Sequence, residues 1–210
     1  MSASAIDPGS VGLLLIDAQP YFWNSMHGSK EPILMRVERL LMLADWIRLP
    51  LIATFEHPIE AKGWLPERLE KVFPSHGQRF VKRTFNCCSD DAVREAIRGL
   101  QTSQVVVAGA ETDVCILQSS LGLISMGLQV FLLEDCTFTS EHHVRPALER
   151  MYQAGVIPCT LKTLFYELIR TVDKDALPIE WKPRADSFAN YFRLEELPPT
   201  APMSVEPFRP

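Results

Sequence analysis

The side chains of Asp17, Lys82 and Cys115 each stand at the end of a short apolar segment of the chain or just beyond it. Such segments are typical of strands in a parallel sheet that is covered on both faces, so we expect all three at the carboxyl ends of strands. Ligands of open parallel sheets bind beyond those ends. A carboxylate can take the proton of a thiol, an ammonium group can stabilise the anions, and a thiolate can attack a carbonyl carbon. Together the three residues predict nucleophilic catalysis.

The segment Gln104–Gly127 gives Cys115 a more specific local setting. It opens with the apolar run Val105–Ala108, which predicts a strand, and continues through a glycine and an alanine that permit a tight turn. Thr112 or Asp113 can cap a following helix, which places Cys115 in the first turn of that helix. Free backbone N–H groups and the positive end of the helix dipole favour a thiolate there, so we expect a lowered pKa for this cysteine.

Each of the three residues also has a structural interpretation. A free cysteine is usually a small buried hydrophobic residue, an aspartate after a strand often caps a loop, and a lysine is usually solvated. The other four cysteines lack the strand–turn–helix setting, and we interpret them as structural; they are Cys87, Cys88, Cys136 and Cys159. The catalytic interpretation is favoured because all three reactive groups follow apolar strands in one chain.

The elements that must position these groups alternate between strands and helices. Strands are predicted at Val11–Ile16, Leu51–Phe55, Phe80–Lys82, Val105–Ala108, Gln129–Leu133 and Val156–Cys159. Helices are predicted from Pro32 to Arg48, after a Ser89 cap, around Cys115, before Gly155 and over Thr160–Arg170. Pro146 either lies in the first turn of the helix before Gly155 or kinks it. The alternation predicts an α/β fold, a doubly wound and mostly parallel six-stranded sheet with helices on both faces in three layers.

The composition changes after Asp173, so we divide the chain into a domain at 1–172 and a proline-rich arm at 173–210. The prolines of the arm disfavour regular structure. Its aromatic residues make it too apolar for a typical disordered tail; they are Trp181, Phe188, Tyr191, Phe192 and Phe208. We expect the arm to pack on its own or a neighbouring subunit, and a flexible tail is the alternative.

The net charge and the cysteine content limit which partners and which cellular compartment we expect for the protein. A net charge of −5 gives no support to binding of nucleic acid or of an anionic membrane. The sequence contains no apolar run of membrane-spanning length, and its first residues do not resemble a signal peptide. An odd number of cysteines without such a signal indicates reduced thiols, so we expect a cytoplasmic protein.

Three segments carry a resemblance to a known family. LLLIDAQPYF, FVKRTF and VVVAGAETDVCI resemble the motifs of the isochorismatase-like cysteine hydrolases, which include nicotinamidases and N-carbamoylsarcosine amidase. The resemblance covers the chain from about Val11 to Ile169. It implies that Asp17, Lys82 and Cys115 form a catalytic triad with Cys115 as the nucleophile.

The same resemblance implies the surroundings of the nucleophile. The family has a non-proline cis peptide bond, which would lie here between Ala110 and Glu111. That bond would turn the Glu111 N–H beside the N–H of Cys115, and the two would form an oxyanion hole. As walls of the substrate pocket we predict Phe22, Trp23, Phe85 and Val114. The aromatic run that holds Phe22 and Trp23 can equally well serve as packing under its loop.

Two departures from the family pattern narrow the prediction. Nicotinamidases carry a metal-binding Asp-x-His after the second strand, but Phe55 stands here at the place of the aspartate, which leaves His57, with His76 as a further candidate. We therefore expect no metal and no cofactor. True isochorismatases lack the cysteine, so Cys115 favours the branch that cleaves C–N bonds. The predicted function is hydrolysis of a small amide, carbamoyl compound or related acyl derivative through a thioester of Cys115.

Two other functions stay open from the sequence. A thiol redox protein would also need a reactive cysteine, and Cys87, Cys88 or Cys136 would then be the partner of Cys115. A catalytically inactive interaction module is the second, because a fold does not guarantee a function. For the hydrolase we expect a small-molecule substrate. The apolar arm and the family also predict a homo-oligomer, whether dimer, tetramer or larger.

Overall fold

A six-stranded parallel sheet forms the centre of the computed structural model, which describes residues 5–192. Its strands are β1 (Val11–Ile16), β2 (Leu51–Glu56), β3 (Gln78–Lys82), β4 (Gln104–Ala110), β5 (Gln129–Phe138) and β6 (Ile157–Cys159). They lie in the order β3-β2-β1-β4-β5-β6, and every neighbouring pair is parallel. The order places the carboxyl ends of the first four strands side by side.

Helices cover both faces of this sheet. They are α1 (Pro20–Ser25), α2 (Lys30–Ile47), α3 (Ile59–Lys62), α4 (Glu67–Glu70), α5 (Asp91–Gly99), α6 (Leu117–Ser125), α7 (Arg145–Gln153), α8 (Leu161–Ile169) and α9 (Lys182–Tyr191). Shorter turns are 3₁₀ at Cys87–Ser89 and Lys174–Ala176 and π-helical at Thr112–Ile116. Alternate side chains of β1 point into two separate apolar clusters, one beneath α2 and α8 and the other beneath α5, α6 and α7. This three-layer α/β/α architecture confirms the predicted fold class.

Several boundaries differ from those predicted, each for a local reason. Asp90, not Ser89, caps α5, because its carboxylate accepts from the N–H groups of the first turn. The fifth strand continues through the charged Glu134 and Asp135 to Phe138, and its register with β4 shifts across these two residues. Pro146 lies in the first turn of α7, where a proline is tolerated.

The prolines after Asp173 do not prevent a helix. Pro183 lies in the first turn of α9, where its missing N–H costs no hydrogen bond. The ring of Phe188 stacks on Trp46 of α2 with 4.9 Å between centroids, so this part of the predicted arm packs on its own chain. Residues 193–210, which include Phe208, lie outside the described residues. Among the helices of residues 5–192, none is long and apolar enough to cross a membrane.

Candidate active site

Four adjacent strands each bring one reactive side chain to the carboxyl edge of the sheet. Lys82 ends β3, Glu56 ends β2, Asp17 follows β1 and Cys115 follows β4. The Lys82 Nζ lies 2.6 Å from Asp17 Oδ2, 3.5 Å from Cys115 Sγ and 3.8 Å from Glu56 Oε2. The structure thus brings together the three residues predicted from the sequence and adds a second carboxylate to them.

Asp17 is held by the neighbouring strand. Its backbone turns into the left-handed region at φ 49°, which aspartate tolerates better than most residues, and β1 ends there. The Asp17 N–H donates to the Thr54 carbonyl at 3.0 Å, and the Thr54 hydroxyl donates to Asp17 Oδ1 at 3.1 Å. Burial raises the pKa of the Asp17 carboxyl, and the charge of Lys82 opposes that rise. A carboxylate with a raised pKa is a better proton acceptor.

Lys82 is a fully buried ammonium group among anions. Its side chain donates to the Thr84 carbonyl at 3.0 Å in addition to its contacts with Asp17 and Cys115. Burial alone would lower the pKa of Lys82, but the charge of Asp17, its hydrogen bond to Lys82 and the other negative groups around Lys82 together outweigh burial, so the net pKa is raised. Lys82 therefore stays positively charged at the centre of the site. It is not the solvated surface lysine that the structural interpretation of the sequence expected.

Glu56 is the member of the site that the sequence prediction missed. The thiol of Cys115 donates to Glu56 Oε2 at 3.3 Å, and Lys62 forms an ion pair with the other oxygen. Burial would raise the pKa of Glu56, but the hydrogen bonds from Lys62 and Cys115 and the charges of Lys82 and Lys62 together outweigh burial and lower the pKa overall. Its signal in the sequence is the same as for Asp17, a charged residue at the end of an apolar run, but only the flanking Phe55 and His57 correspond to positions of the family's metal-binding pattern.

Gln19 holds the backbone of Glu56 in place. Its side-chain oxygen accepts from the Glu56 N–H at 2.6 Å, and its amide nitrogen donates to the Glu56 carbonyl at 3.2 Å. The same nitrogen donates to the Gly63 carbonyl at 2.7 Å. Gln19 is fully buried, so these hydrogen bonds form away from water. They fix the end of β2 against the loop that follows β1.

The pKa of Cys115 differs from the expectation drawn from the sequence. Cys115 lies in the π-helical turn Thr112–Ile116, and the α-helix itself begins only at Leu117. Burial raises the pKa of the thiol above its ordinary value of 9.0, and the charges of Asp17 and Glu56 raise it further, while Lys82 opposes them. The resting group is thus a thiol. The prediction of a lowered pKa is wrong, because desolvation and two carboxylates outweigh the helix terminus.

The backbone just before the nucleophile has two unusual features, a cis peptide bond and a close approach of β4 to β1. The peptide bond between Ala110 and Glu111 is cis. At Gly109 the backbone has φ +114°, and a Cβ atom there would lie 1.9 Å from the Ile16 carbonyl oxygen, so only glycine lets β4 pass β1 this closely. The Glu111 carbonyl accepts from the Val114 N–H at 3.1 Å. An oxyanion hole of the Glu111 and Cys115 N–H groups stays a prediction.

The four predicted pocket residues occupy different environments. Trp23 is buried, stacks on Phe138 and donates its indole N–H to the Ala18 carbonyl at 3.0 Å. Phe22 is also buried, whereas 54% of Phe85 is exposed. Val114 is partly buried and packs against the apolar cluster beneath α6. The contacts of Trp23 favour the packing interpretation for that residue, and the role of all four in binding stays a prediction.

Asp17, Glu56 and Cys115 could in principle hold a metal ion, because they bring donor atoms within 4.8 Å of one another. The ammonium of Lys82 lies within 3.8 Å of an atom of each, so a metal ion there would meet a positive charge. His57 follows β2, but the ring of His76 bonds to the Leu49 carbonyl before β2, at the opposite edge of the sheet. The two histidines cannot share a metal ion, and the metal-free site stays a prediction.

Comparison with known proteins places the chain in a family. An Isochorismatase domain model matches residues 11–163, in agreement with the resemblance of the three motifs. Isochorismatase family protein 1A of Dictyostelium discoideum is 24% identical over 90% of this chain and 95% of its own length. Isochorismatase domain-containing protein 2A of Mus musculus is 30% identical over 80% of each chain.

Solved structures share the fold over nearly their whole length. The MAR1 ribonuclease of Caenorhabditis elegans has a TM-score of 0.80 at 23% identity and covers 99% of this chain and 100% of its own. YcaC of Pseudomonas aeruginosa, solved with hexane-2,5-diol and covalent acrylamide, has a TM-score of 0.80 at 24% identity over 92% and 98% of the two chains. YcaC of Escherichia coli, an octameric hydrolase of unknown specificity, has a TM-score of 0.78 at 23% identity with the same coverage.

Proposed function

The chain belongs to the isochorismatase family of hydrolases, and on that premise we propose that it is a metal-independent cysteine hydrolase. Its substrate would be a small amide, carbamoyl compound or related acyl derivative. The observation that carries the proposal is the buried ammonium of Lys82, 2.6 Å from a carboxylate oxygen and 3.5 Å from a thiol sulfur. Acyl transfer needs a nucleophile, an acid–base group and a fixed charge in one buried site.

The proposed reaction has two halves. Cys115 Sγ attacks the carbonyl carbon while Asp17 takes the thiol proton, and the C–N bond then breaks as Asp17 returns that proton to the leaving nitrogen. Water then attacks the thioester and loses a proton to Asp17, the S–C bond breaks to release the acid, and Asp17 returns the proton to the Cys115 thiolate. Lys82 keeps Asp17 charged and stabilises the negative sulfur as it forms.

The protonated resting thiol fits this scheme. A thiol with a raised pKa gives a more nucleophilic thiolate once its proton has moved. The raised pKa of Asp17 makes that carboxylate the better acceptor for the proton. The proton therefore moves as the substrate is attacked, without an ion pair formed in advance.

Further parts of the proposal rest on the prediction from sequence and on relatives. The Glu111 and Cys115 N–H groups would hold the developing oxyanion, and Phe22, Trp23, Phe85 and Val114 would surround the substrate. A homo-oligomer is supported by the octameric Escherichia coli relative. The five free cysteines fit a reducing compartment such as the cytoplasm.

The experiment that tests this function is a screen of small amides and carbamoyl compounds for release of amine or ammonia. Mass spectrometry of the quenched protein should show an acyl group on Cys115 with a good substrate. Cys115→Ser should release no product. A wild-type protein that hydrolyses no member of the set and never carries an acyl group would contradict the proposal.

The redox alternative makes a separate prediction. Cys87 and Cys88 have sulfur atoms 4.0 Å apart, so a redox protein would cycle a disulfide there or with Cys115. Peroxide followed by mass spectrometry of the unreduced protein distinguishes the two functions. An intramolecular disulfide of Cys115 that forms and is reduced in repeated turnover would favour the redox function.

A further inference from the structure

Glu56 presents one carboxylate oxygen to the reacting sulfur, and the rest of the residue is held from several sides. Lys62 pairs with Oε1, and Gln19 bonds to both backbone polar groups of Glu56. Oε2 is left facing Cys115 Sγ at 3.3 Å. The carboxylate that pairs with Lys82 at 2.6 Å is Asp17, not Glu56. Glu56 is therefore fixed beside the nucleophile for a different reason.

The position of Glu56 separates it from the other two charged groups of the site. The side chains of Asp17 and Lys82 are fully buried, whereas 14% of the Glu56 side chain is exposed. Glu56 therefore lies on the solvent side of the site. A molecule that approaches Cys115 from there contacts Glu56 before it contacts the buried pair.

We propose that Glu56 determines specificity by accepting a hydrogen bond from an amide N–H of the molecule that Cys115 attacks. This inference rests on the proposed function and narrows its substrate class. The enzyme would select amides and carbamoyl compounds that carry at least one N–H on the reacting group. It would discriminate against esters, which offer no donor, and against anionic acyl compounds, which the carboxylate repels.

The chemistry of the carboxylate supports this selection. An ionised carboxylate only accepts hydrogen bonds, and bonds to a charged acceptor are about twice as strong as neutral ones. In the resting site the Cys115 thiol occupies Oε2, and a substrate N–H would replace it and leave the thiol proton for Asp17. The pKa of Glu56 is lowered, so the acceptor stays charged at neutral pH. An ester would leave this oxygen unpaired in a largely buried place, which is costly.

The test compares two neutral reagents of similar shape, acrylamide and methyl acrylate. Each adds to Cys115 in the same way: the S–C bond forms at the terminal carbon, the C=C bond is lost, and the thiol proton ends on the carbon next to the carbonyl. There is no leaving group and no oxidant. Only acrylamide has N–H donors. The ratio of the two rate constants at Cys115, divided by the same ratio for 2-mercaptoethanol, measures the preference of the site.

We expect this normalised ratio to exceed one by about tenfold or more in the wild type, the size of a hydrogen bond to a charged group. Glu56→Met should bring it close to one, and Glu56→Gln, which keeps a neutral acceptor, should give an intermediate value. Glu67→Gln is the matched control, since Glu67 is an exposed carboxylate that pairs with Lys71, and it should keep the wild-type ratio. Peptide mass spectrometry assigns the modification to Cys115.

A wild-type ratio near one, or a ratio unchanged in both Glu56 variants, would overturn the inference. If Glu56→Met does not fold, as judged by circular dichroism, Glu56→Gln decides alone. The ratio does not depend on hydrolysis. A preference for acrylamide that depends on Glu56, in a protein that hydrolyses no amide, would therefore contradict the proposed function and leave the role of Glu56 standing.

Discussion

Residues 5–192 hold two sets of an aspartate, a cation and a cysteine that lie largely out of solvent, and they differ in what the cation contacts. The first is Asp17, Lys82 and Cys115 at the carboxyl edge of the sheet. In the second, Asp135 and Cys136 are neighbours within β5, and Arg36 from α2 forms an ion pair with Asp135. Burial raises the pKa of both aspartates and of both cysteines.

The difference lies in what the cation contacts. Lys82 contacts both the carboxylate and the sulfur, so it can stabilise a thiolate as it forms. In the second set Asp135 accepts from Arg36 and from the Leu161 N–H at 2.9 Å, and the Cys136 thiol donates to the same carboxylate at 3.7 Å. That carboxylate joins α2 and α8 to the sheet. Residue types therefore do not define a catalytic site unless the cation also reaches the nucleophile.

The largest contrast is expected for the two cysteines. Cys115→Ser should lower the rate of amide hydrolysis by about 10⁴-fold or more, because serine lacks the nucleophile that the site is built around. Cys136→Ser should leave the rate within about threefold and lower the free energy of unfolding by about 1–3 kcal/mol, because a hydroxyl replaces a fully buried thiol. Steady-state kinetics and urea unfolding measure both. Equal rates in the two variants would remove the distinction between the sets.

The two aspartates should differ next. Asp17→Asn removes the proton acceptor, and we expect a loss of about 10²–10⁴-fold in kcat with little change in KM. Asp135→Asn weakens the hydrogen bonds to Arg36 and Leu161 and should cost about 1–3 kcal/mol of stability while kcat stays near the wild-type value. A kcat loss in Asp135→Asn as large as that in Asp17→Asn, in folded protein, would show that both sets serve the reaction.

The thiols of Cys115 and Cys136 should also differ in how their alkylation depends on pH. Because the pKa of Cys115 lies above 9.0, its alkylation by iodoacetamide should still accelerate as the pH rises past 9. Asp17→Asn or Glu56→Gln each removes a negative charge that raises this pKa, so the rise should move to lower pH. Lys82→Met should move it to higher pH. Cys136 is fully buried and should stay unlabelled in native protein at every pH, with labelling in urea as the control.

The smallest expected effect is on the pH dependence of the free energy of unfolding, and Asp17 and Asp135 should contribute to it in the same direction. The folded-state pKa values of Asp17 and Asp135 lie above 3.8, so the folded state keeps protons that the unfolded state has released. The free energy of unfolding therefore decreases as the pH rises above about 3.8 through the folded-state pKa values. Each Asp→Asn variant should lose one part of that decrease. Urea unfolding at several pH values measures it, and a wild-type pH slope in both variants would contradict the shifts.

The sequence predicted those features that depend on local pattern. The apolar runs of β1 to β4 and the residues at their ends were sufficient to predict the parallel sheet and to single out Asp17, Lys82 and Cys115. Glu56 carries the same local signal but was missed, because the three family motifs do not include it and its contact with Cys115 depends on a strand order that apolar runs do not reveal. The pKa of Cys115 was mispredicted for a related reason, since it depends on burial and on charges from three other strands.

The strand order also has a consequence for how the protein is made. β1 is central and apolar, and it pairs with β2 on one side and with β4 on the other. During synthesis β2 becomes available soon after β1, but β4 follows only after residues 57–103 have been added. Until then the nascent chain carries a hydrophobic strand with one unpaired edge, which is a template for aggregation. The strand that ends just before Asp17 is thus open to aggregation until β4 has been made.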